Sequence, residues 1–225
     1  SRRWARTPPA SAGSTSTRWS TAAAATLLAA AALGLFTWLL HQSALSGFWR
    51  FDDGMHLAFA RRHSPWAYFF DPLYTRAFSG NNLTPWNPFL YDLNLWLFGF
   101  SPRPFYAHHL LSLTATATAT YLLLRLWVRP VYALGGAVLF LLGAPTVHIA
   151  QKLMVGHYLD GLLFASLALY GFARSARGDG PAFALGGVLA YALATSCKEV
   201  YVPLPLVLLA LPEADLRRRA VLAAP

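Results

Sequence analysis

Two adjacent carboxylates, Asp52 and Asp53, directly follow the aromatic residues Phe48, Trp49 and Phe51. Like charges at this spacing repel each other, and partial removal of water beside an apolar surface raises the cost of ionising both groups. One carboxyl group is therefore expected to bind a proton more readily and could act as a general base on a hydroxyl group. The alternative is structural, since either aspartate could cap the helix that follows.

A second charged pair, Lys198 and Glu199, lies between two short apolar segments near the end of the chain. Ionisable side chains among membrane segments are costly, and by default they indicate a functional site. The lysine could neutralise a phosphate group near the membrane interface, with Glu199 holding the ammonium in place. Equally open is an internal ion pair that ties the two segments together.

The elements that must position these pairs are membrane helices. Of the 225 residues, 56% are hydrophobic and 12% are charged, whereas about a quarter of the residues of a soluble domain are charged. This composition excludes an ordinary cytosolic enzyme and a disordered chain, and the single Cys197 excludes a disulfide scaffold. Apolar blocks predict an all-α polytopic membrane protein with about six transmembrane segments. They cover residues 21–40, 105–127, 131–147, 155–172, 182–195 and 200–211, the last two being short and the final one interrupted by prolines.

The arginines predict the orientation. Arg2, Arg3, Arg6 and Arg18 precede the first segment, so the positive-inside rule places the N-terminus in the cytoplasm. The net charge of +9 then follows from topology, and no nucleic-acid partner is expected. Because the first apolar block is about 20 residues long, a retained anchor is favoured over a cleaved signal peptide. The composition, rich in alanine, leucine and arginine, suggests a bacterial inner membrane with the outer side facing the periplasm.

On this topology the titratable groups gather on the outer side, which includes a long first loop, residues 42–104. All seven histidines and six of the nine acidic residues lie there. They are His41, His56, His63, His108, His109, His148, His157, Asp52, Asp53, Asp71, Asp92, Asp160 and Glu199. Aromatic residues in the loop favour helices lying in the membrane interface, near 53–63 and 88–100. An amphipathic lid with no further function is the alternative for this loop.

Four stretches in this order resemble a known family. They are WRFDD at 49–53, the run at 88–113, the run at 137–175, and SCKEVYVPLPLVLLAL at 196–211. Together they resemble the N-terminal half of the GT-C superfamily of polytopic glycosyltransferases, and within it the protein O-mannosyltransferases that carry tetratricopeptide repeats. The chain departs from the family at 144–149, where APTVHI replaces a His-Pro-x-His-x-Glu run, and at 156–160, where GHYLD replaces Gly-Arg-x-Asp. Family members are also longer, so the chain is expected to be either part of a longer protein or a shortened relative.

The resemblance implies an inverting transfer of a sugar from a polyprenyl-phosphate carrier to a hydroxyl acceptor on the outer face. It carries the family's base onto Asp52, with Asp53 as its neighbour. Lys198, Arg61 and Arg62 are the candidates for binding the donor phosphate. The supporting residues are Glu199, His108 and His109. No metal ligands are assigned, and a divalent metal stays open without residues to support it.

The domain organisation follows from these expectations. Residues 1–20 form a cytoplasmic tail, residues 21–212 the GT-C-like transmembrane domain, and residues 213–225 a basic cytoplasmic end at which the chain is expected to be cut short. The expected partners are membrane lipid, the polyprenyl-phosphate sugar and other membrane proteins. The competing hypothesis is a non-catalytic subunit derived from the GT-C fold and packed into a larger membrane complex. A transporter is the third hypothesis.

Overall fold

A computed structural model describes residues 15–64, 66–80, 82, 84–213, 219 and 221, with side chains from Ala23 onward. Most of the two expected cytoplasmic ends therefore lies outside the described residues. Within these ranges the chain forms helices and no strand. The helices are α1 (Thr15–His41), α2 (Asp53–Ala60), α3 (Ala67–Phe70), α4 (Pro72–Phe78), α5 (Trp86–Phe98), α6 (Pro102–Leu124), α7 (Pro130–Leu142), α8 (Ala144–Ala150), α9 (Gly156–Ala176), α10 (Pro181–Cys197) and α11 (Leu204–Ala210). Three short 3₁₀ turns cover Gln42–Ser46, Leu153–Val155 and Glu199–Tyr201.

Two helical stretches of the described chain are long and apolar enough to cross a membrane. They are Ala23–Ser46 and Leu153–Ala176, each 24 residues long. The bent pair α7 and α8 adds a third if it acts as one span. Helix α6 has 23 residues, but His108, His109 and four threonines lower its hydropathy. The structure therefore supports an all-helical membrane protein with two or three spanning helices, and six spans are not shown.

The segment expected at 131–147 is bent by 60° between α7 and α8. Pro145 follows the break at Gly143, whose ψ of 135° is outside the helical range. Proline has no N–H to bond the carbonyl oxygen four residues earlier, here that of Leu141, and its ring clashes with that carbonyl group in a continuous helix. The sequence predicted one segment because its apolar composition continues through this proline.

Helix α6 packs against α1, α7 and α9, and these four helices surround the larger core. Leu33, Leu113, Leu141 and Leu159 supply one buried side chain from each helix. The alternating threonines of α6 fit this apolar setting because their hydroxyl groups donate to carbonyl oxygens one turn earlier in the same helix, at 2.8–3.0 Å. Thr116 also reaches the neighbouring helix, where its hydroxyl group lies 3.5 Å from the carbonyl oxygen of Leu159 in α9.

Helices α9 and α10 lie in backbone contact. A Cβ atom added to Gly171 would lie 2.7 Å from the carbonyl oxygen of Phe183 and 2.9 Å from the amide nitrogen of Gly187. Small residues allow membrane helices to approach this closely. The two glycines therefore fix the spacing of α9 and α10.

The segment between α1 and α6 contains four helices, α2 to α5, and α2 packs on α5. Asp71 begins α4 by accepting a hydrogen bond of 2.9 Å from the amide of Leu73, with Pro72 at the first helical position. Helices α2 and α5 lie where the sequence predicted helices, near 53–63 and 88–100. Trp66, Phe70 and Trp96 are largely exposed on this segment.

Candidate functional site

A cavity of about 510 Å³ lies where α2, the end of α4, the start of α5, the start of α9 and the end of α10 meet. Small-molecule sites commonly have volumes of roughly 300–1,000 Å³. The carboxylate, imidazole, ammonium and amide side chains that line the cavity are Asp52, His56, Asn82, Asn87, His157 and Lys198. Residues from distant parts of the sequence thus meet at one end of the helix bundle.

Helix geometry separates the two adjacent aspartates. Neighbouring residues on a helix point about 100° apart, whereas residues three, four or seven positions apart share a face. Met55, His56 and Phe59 line the cavity together with Asp52. Asp53 instead belongs to a different face of α2, shared with Leu57 and Ala60, which is buried against the protein. Only one carboxylate of the pair therefore faces the cavity.

Asp53 has a structural environment. It is 1% exposed, and its two oxygens accept hydrogen bonds from the Tyr91 hydroxyl at 2.6 Å and from the Arg50 amide at 2.8 Å. A buried carboxylate is tolerated when its oxygens are hydrogen-bonded in this way. Asp53 therefore joins α2 to α5 and is not among the residues that line the cavity.

Asp52 occupies the N-cap position of α2, but its side chain accepts no capping hydrogen bond. The Asp52 side chain therefore does not cap the helix, which was the structural alternative for this residue. Its carboxylate, which is half-buried, contributes to the cavity wall instead.

Phe51, directly before Asp52, has a φ of 50°. Residues other than glycine rarely adopt this left-handed conformation, and such local strain costs about 1–3 kcal/mol. The Lys152 ammonium lies 4.7 Å from the centre of the Phe51 ring, a cation–π contact that helps to hold the turn. The strained turn sets the direction in which Asp52 enters α2.

Lys198 is contributed by the C-terminal end of α10, where extended backbone stops the helix. Its side chain is 9% exposed, and its ammonium lies 3.1 Å from a carboxylate oxygen of Glu199. The ammonium also donates a hydrogen bond to the side-chain oxygen of Asn82 and lies 5.6 Å from the centre of the Tyr158 ring. A buried ammonium is tolerated where neighbouring carboxylate and amide oxygens replace its lost water, and the Lys198 side chain also lines the cavity.

His56 lies one helical turn after Asp52, with its ring 4.8 Å from Phe78 and 5.0 Å from Tyr91. Burial lowers the pKa of His56, although the charges of Asp53 and Asp52 act in the opposite direction. The imidazole is therefore neutral at pH 7. The spacing of four residues from Asp52 was the sequence signal that could have placed His56 in the site.

Six of the eight residues proposed from the sequence are not among those that line the cavity; two of them, Asp53 and Glu199, are described above. Arg61 and Arg62 are exposed beyond the end of α2, and the Arg61 guanidinium lies 5.1 Å from the centre of the Phe100 ring. His108 is 2.8 Å from the side-chain oxygen of Asn94. His109 is buried, and its Nε2 is 2.9 Å from the carbonyl oxygen of Ile149. The structure thus brings together Asp52 and Lys198, with Glu199 beside the lysine.

The neutral amides Asn82 and Asn87 were not found by sequence reasoning. Neither has a spacing or charge pattern that marks a site, and both become visible only when the fold brings α5 against α10. As for metals, no group of three or more histidine, cysteine or acidic residues within the described ranges is close enough together to hold an ion.

Comparison with known proteins yields no relative: no family model, curated protein or solved structure matches the chain. The chemistry must therefore be inferred from the arrangement itself. A carboxylate in the cavity wall can remove a proton from a bound hydroxyl group. An ammonium in the same cavity can stabilise negative charge that develops on a leaving group.

Proposed function

We propose that this chain is a membrane glycosyltransferase of the GT-C type. It moves a sugar from a polyprenyl-phosphate carrier to a hydroxyl acceptor at the outer, periplasmic face of a bacterial inner membrane. The observation that carries the proposal is that Asp52 and Lys198, far apart in the sequence, line one cavity. A base and a cation in one site are what this transfer requires.

The two residues have complementary roles in the proposed reaction. Asp52 accepts the proton of the acceptor hydroxyl, whose oxygen attacks the anomeric carbon of the sugar from the face opposite the phosphate. The bond between the anomeric carbon and the phosphate oxygen breaks, and the phosphate keeps the electron pair. Lys198 stabilises the negative charge on the departing carrier phosphate. The anomeric configuration is inverted.

The surroundings of the cavity suit a lipid-linked donor. Apolar side chains of Met55, Phe59, Phe78 and Met154 line part of it, and the exposed aromatic residues of α3 and α5 suit the membrane interface. In this proposal residues 21–212 form six membrane segments, some of them short or broken. The N-terminus lies in the cytoplasm and residues 42–104 lie outside.

A non-catalytic subunit of a larger membrane complex is the second candidate. It is favoured by one observation, which is that the Lys198 ammonium already has Asn82 and Glu199 as partners within the protein. A lysine so placed can tie α10 to the α4–α5 connection without binding any phosphate. The two candidates differ in what happens when the lysine is removed.

The test is sugar transfer from a polyprenyl-phosphate mannose donor, measured in membranes that contain the chain. Lys198→Met should lower the rate of transfer by roughly 10²–10³-fold, the usual effect of removing one charge-stabilising group. The matched control is Arg103→Met, which removes an exposed cation at the start of α6, outside the cavity. Equal rates in the two variants would contradict the role of Lys198. Absence of transfer by the unmutated chain would favour the subunit.

A further inference from the structure

A second, smaller cavity lies where the two long apolar helical stretches meet at one side of the protein. Its volume is about 150 Å³. The residues that line it are Ser43, Ala44, Gly47, Arg50, Tyr106 and Gln151. Ser43 and Ala44 belong to the end of the stretch Ala23–Ser46, and Gln151 lies two residues before the stretch Leu153–Ala176 begins. A membrane that both stretches cross therefore has one of its boundaries at this cavity.

The size and position of this boundary cavity restrict what it can hold. Sites for whole small molecules commonly have volumes of roughly 300–1,000 Å³, so this cavity suits a single small group of a larger ligand. The head of a lipid is such a group, since the remainder of the lipid stays in the membrane. Leu39 and Leu40, one turn before Ser43 on α1, are 59% and 38% exposed. They offer an apolar surface for an acyl chain directly below the cavity.

Arg50 supplies the positive charge of the boundary cavity. Its side chain is exposed, and within the described ranges the ion pairs involve other cations. The carboxylate of Asp53 bonds the backbone amide of Arg50 and the hydroxyl group of Tyr91. A guanidinium presents several N–H donors in a planar fork, and this fork matches the oxygen atoms of a phosphate group. Arg50 thus has the charge and the geometry of a phosphate ligand.

Lys152 adds a second positive charge at the same edge of the protein. Its ammonium bonds the imidazole of His148 and lies 4.7 Å from the centre of the ring of Phe51, the residue after Arg50. In the part of the chain that the structure describes, no carboxylate forms an ion pair with Lys152. Basic residues beside a membrane span attract anionic lipids. The two cations therefore favour an anionic headgroup over a zwitterionic one.

The backbone that carries Arg50 is held in place by the protein itself. The Tyr106 hydroxyl donates a hydrogen bond of 3.1 Å to the carbonyl oxygen of Phe48, and a Cβ atom added to Gly47 would lie 2.6 Å from the Tyr106 ring. The amide of Arg50 donates to Asp53 at 2.8 Å. Because these contacts fix the stretch against α6, a ligand does not have to order it, which favours binding.

We propose that the boundary cavity binds the phosphate group of an anionic phospholipid, with Arg50 as the principal ligand and Lys152 as the flanking charge. The Ser43 hydroxyl and the Gln151 amide supply further hydrogen-bonding groups for the headgroup. A lipid bound here connects the ends of the two apolar stretches. The proposal does not rest on the proposed function, because it uses only these stretches and the charges between them.

Native mass spectrometry of the purified full chain tests the proposal. The probes are phosphatidylglycerol and phosphatidylcholine with the same acyl chains, each titrated into the protein in detergent micelles. The unmutated protein should bind phosphatidylglycerol more tightly than phosphatidylcholine. Arg50→Gln should reduce this preference by roughly 5-fold, which corresponds to the usual contribution of one basic residue at an anionic membrane surface.

The matched control is Arg76→Gln, which removes an exposed arginine of α4 from outside both cavities. This variant should keep the preference for phosphatidylglycerol. Ser43→Phe provides a second test if Arg50→Gln does not fold. It keeps every charge but places a large ring at the cavity wall, and it should weaken binding of phosphatidylglycerol as Arg50→Gln does.

Three outcomes would overturn the proposal. Equal effects of the Arg50 and Arg76 substitutions would mean that the basic surface attracts anionic lipid without a site. Equal binding of the two lipids by the unmutated protein would overturn the choice of an anionic headgroup. Calorimetric titration with inorganic phosphate separates a lipid from a soluble ligand, and no binding is expected. Binding of inorganic phosphate that Arg50→Gln abolishes would overturn the assignment to a lipid.

Discussion

Tyr91 donates a hydrogen bond of 2.6 Å to the buried carboxylate of Asp53, and this bond joins α5 to the first turn of α2. Burial, together with the negative charge of Asp53, raises the pKa of the Tyr91 hydroxyl, so the hydroxyl keeps the proton that it donates. Asp52 is the next residue along the chain from this anchor. The position of the proposed base thus depends on a tyrosine that does not line the cavity.

Removal of this anchor should destabilise the protein. Hydrogen bonds to charged groups contribute about 1.5–3 kcal/mol, so Tyr91→Phe should lower the free energy of unfolding by about that amount. An SDS titration of the purified protein in mixed micelles measures the change. Tyr132→Phe, at a residue that is 65% exposed, serves as the control. Indistinguishable titration curves for the two variants would mean that Asp53 has another adequate donor.

Loss of the cavity carboxylate should affect catalysis more than folding. Asp52→Asn keeps the size of the side chain but cannot accept the hydroxyl proton, so the rate of sugar transfer should fall by roughly 10²–10⁴-fold. Asp71→Asn is the matched control, because asparagine also caps helices well and Asp71 is not among the lining residues. Near-normal transfer by the Asp52 variant would exclude it as the base.

His56 should make the stability of the protein depend on pH. Because burial lowers its pKa in the folded state from the ordinary value of 6.5, the unfolded chain binds a proton first as the pH falls. Stability should therefore be complete above about pH 7 and should decrease on acidification through pH 6.5. Melting temperatures at pH 7.5 and 5.5 measure this, and His56→Gln should show a smaller decrease. Parallel curves for the two proteins would contradict the prediction.

Cysteine labelling should distinguish the two sides of the membrane. Ser101 and Ala182 are exposed, and the proposed topology places them on opposite sides of the membrane. The natural Cys197 is fully buried. In intact cells a membrane-impermeant maleimide should label Ser101→Cys and should label Ala182→Cys only after the cells are opened. Labelling of both variants from outside would refute the six-segment topology.

Much of the fold could be predicted from composition, because long apolar blocks with few charges favour helices. The lengths of the segments were harder to predict. The break at Gly143 depends on Pro145, a single residue in an otherwise continuous apolar run. Likewise, α6 reaches the length of a span, but its paired histidines and its threonines lower its hydropathy.

The site, too, could be predicted only in part from the sequence. Charge and topology suggested that Asp52 and Lys198 lie on the same side, and the structure places them around one cavity. The sequence could not separate Asp52 from Asp53, because their difference arises from the direction of each side chain on α2. Arg61 and Arg62 had suitable charge, but α2 ends before them and leaves both exposed. Asn87 carries no charge and stands just before the stretch 88–100 in which a helix was predicted.

The contact of Gly171 with Gly187 has a consequence far from where it occurs. Ten residues of α10 separate Gly187 from Cys197, which at 1.5 Å per residue is about 15 Å. Because α9 carries His157 at its start and α10 carries Lys198 at its end, the closeness of the two helices sets the width of the cavity between these side chains. A methyl group at either glycine would push the two helices apart and so move the Lys198 ammonium, with which it makes no contact.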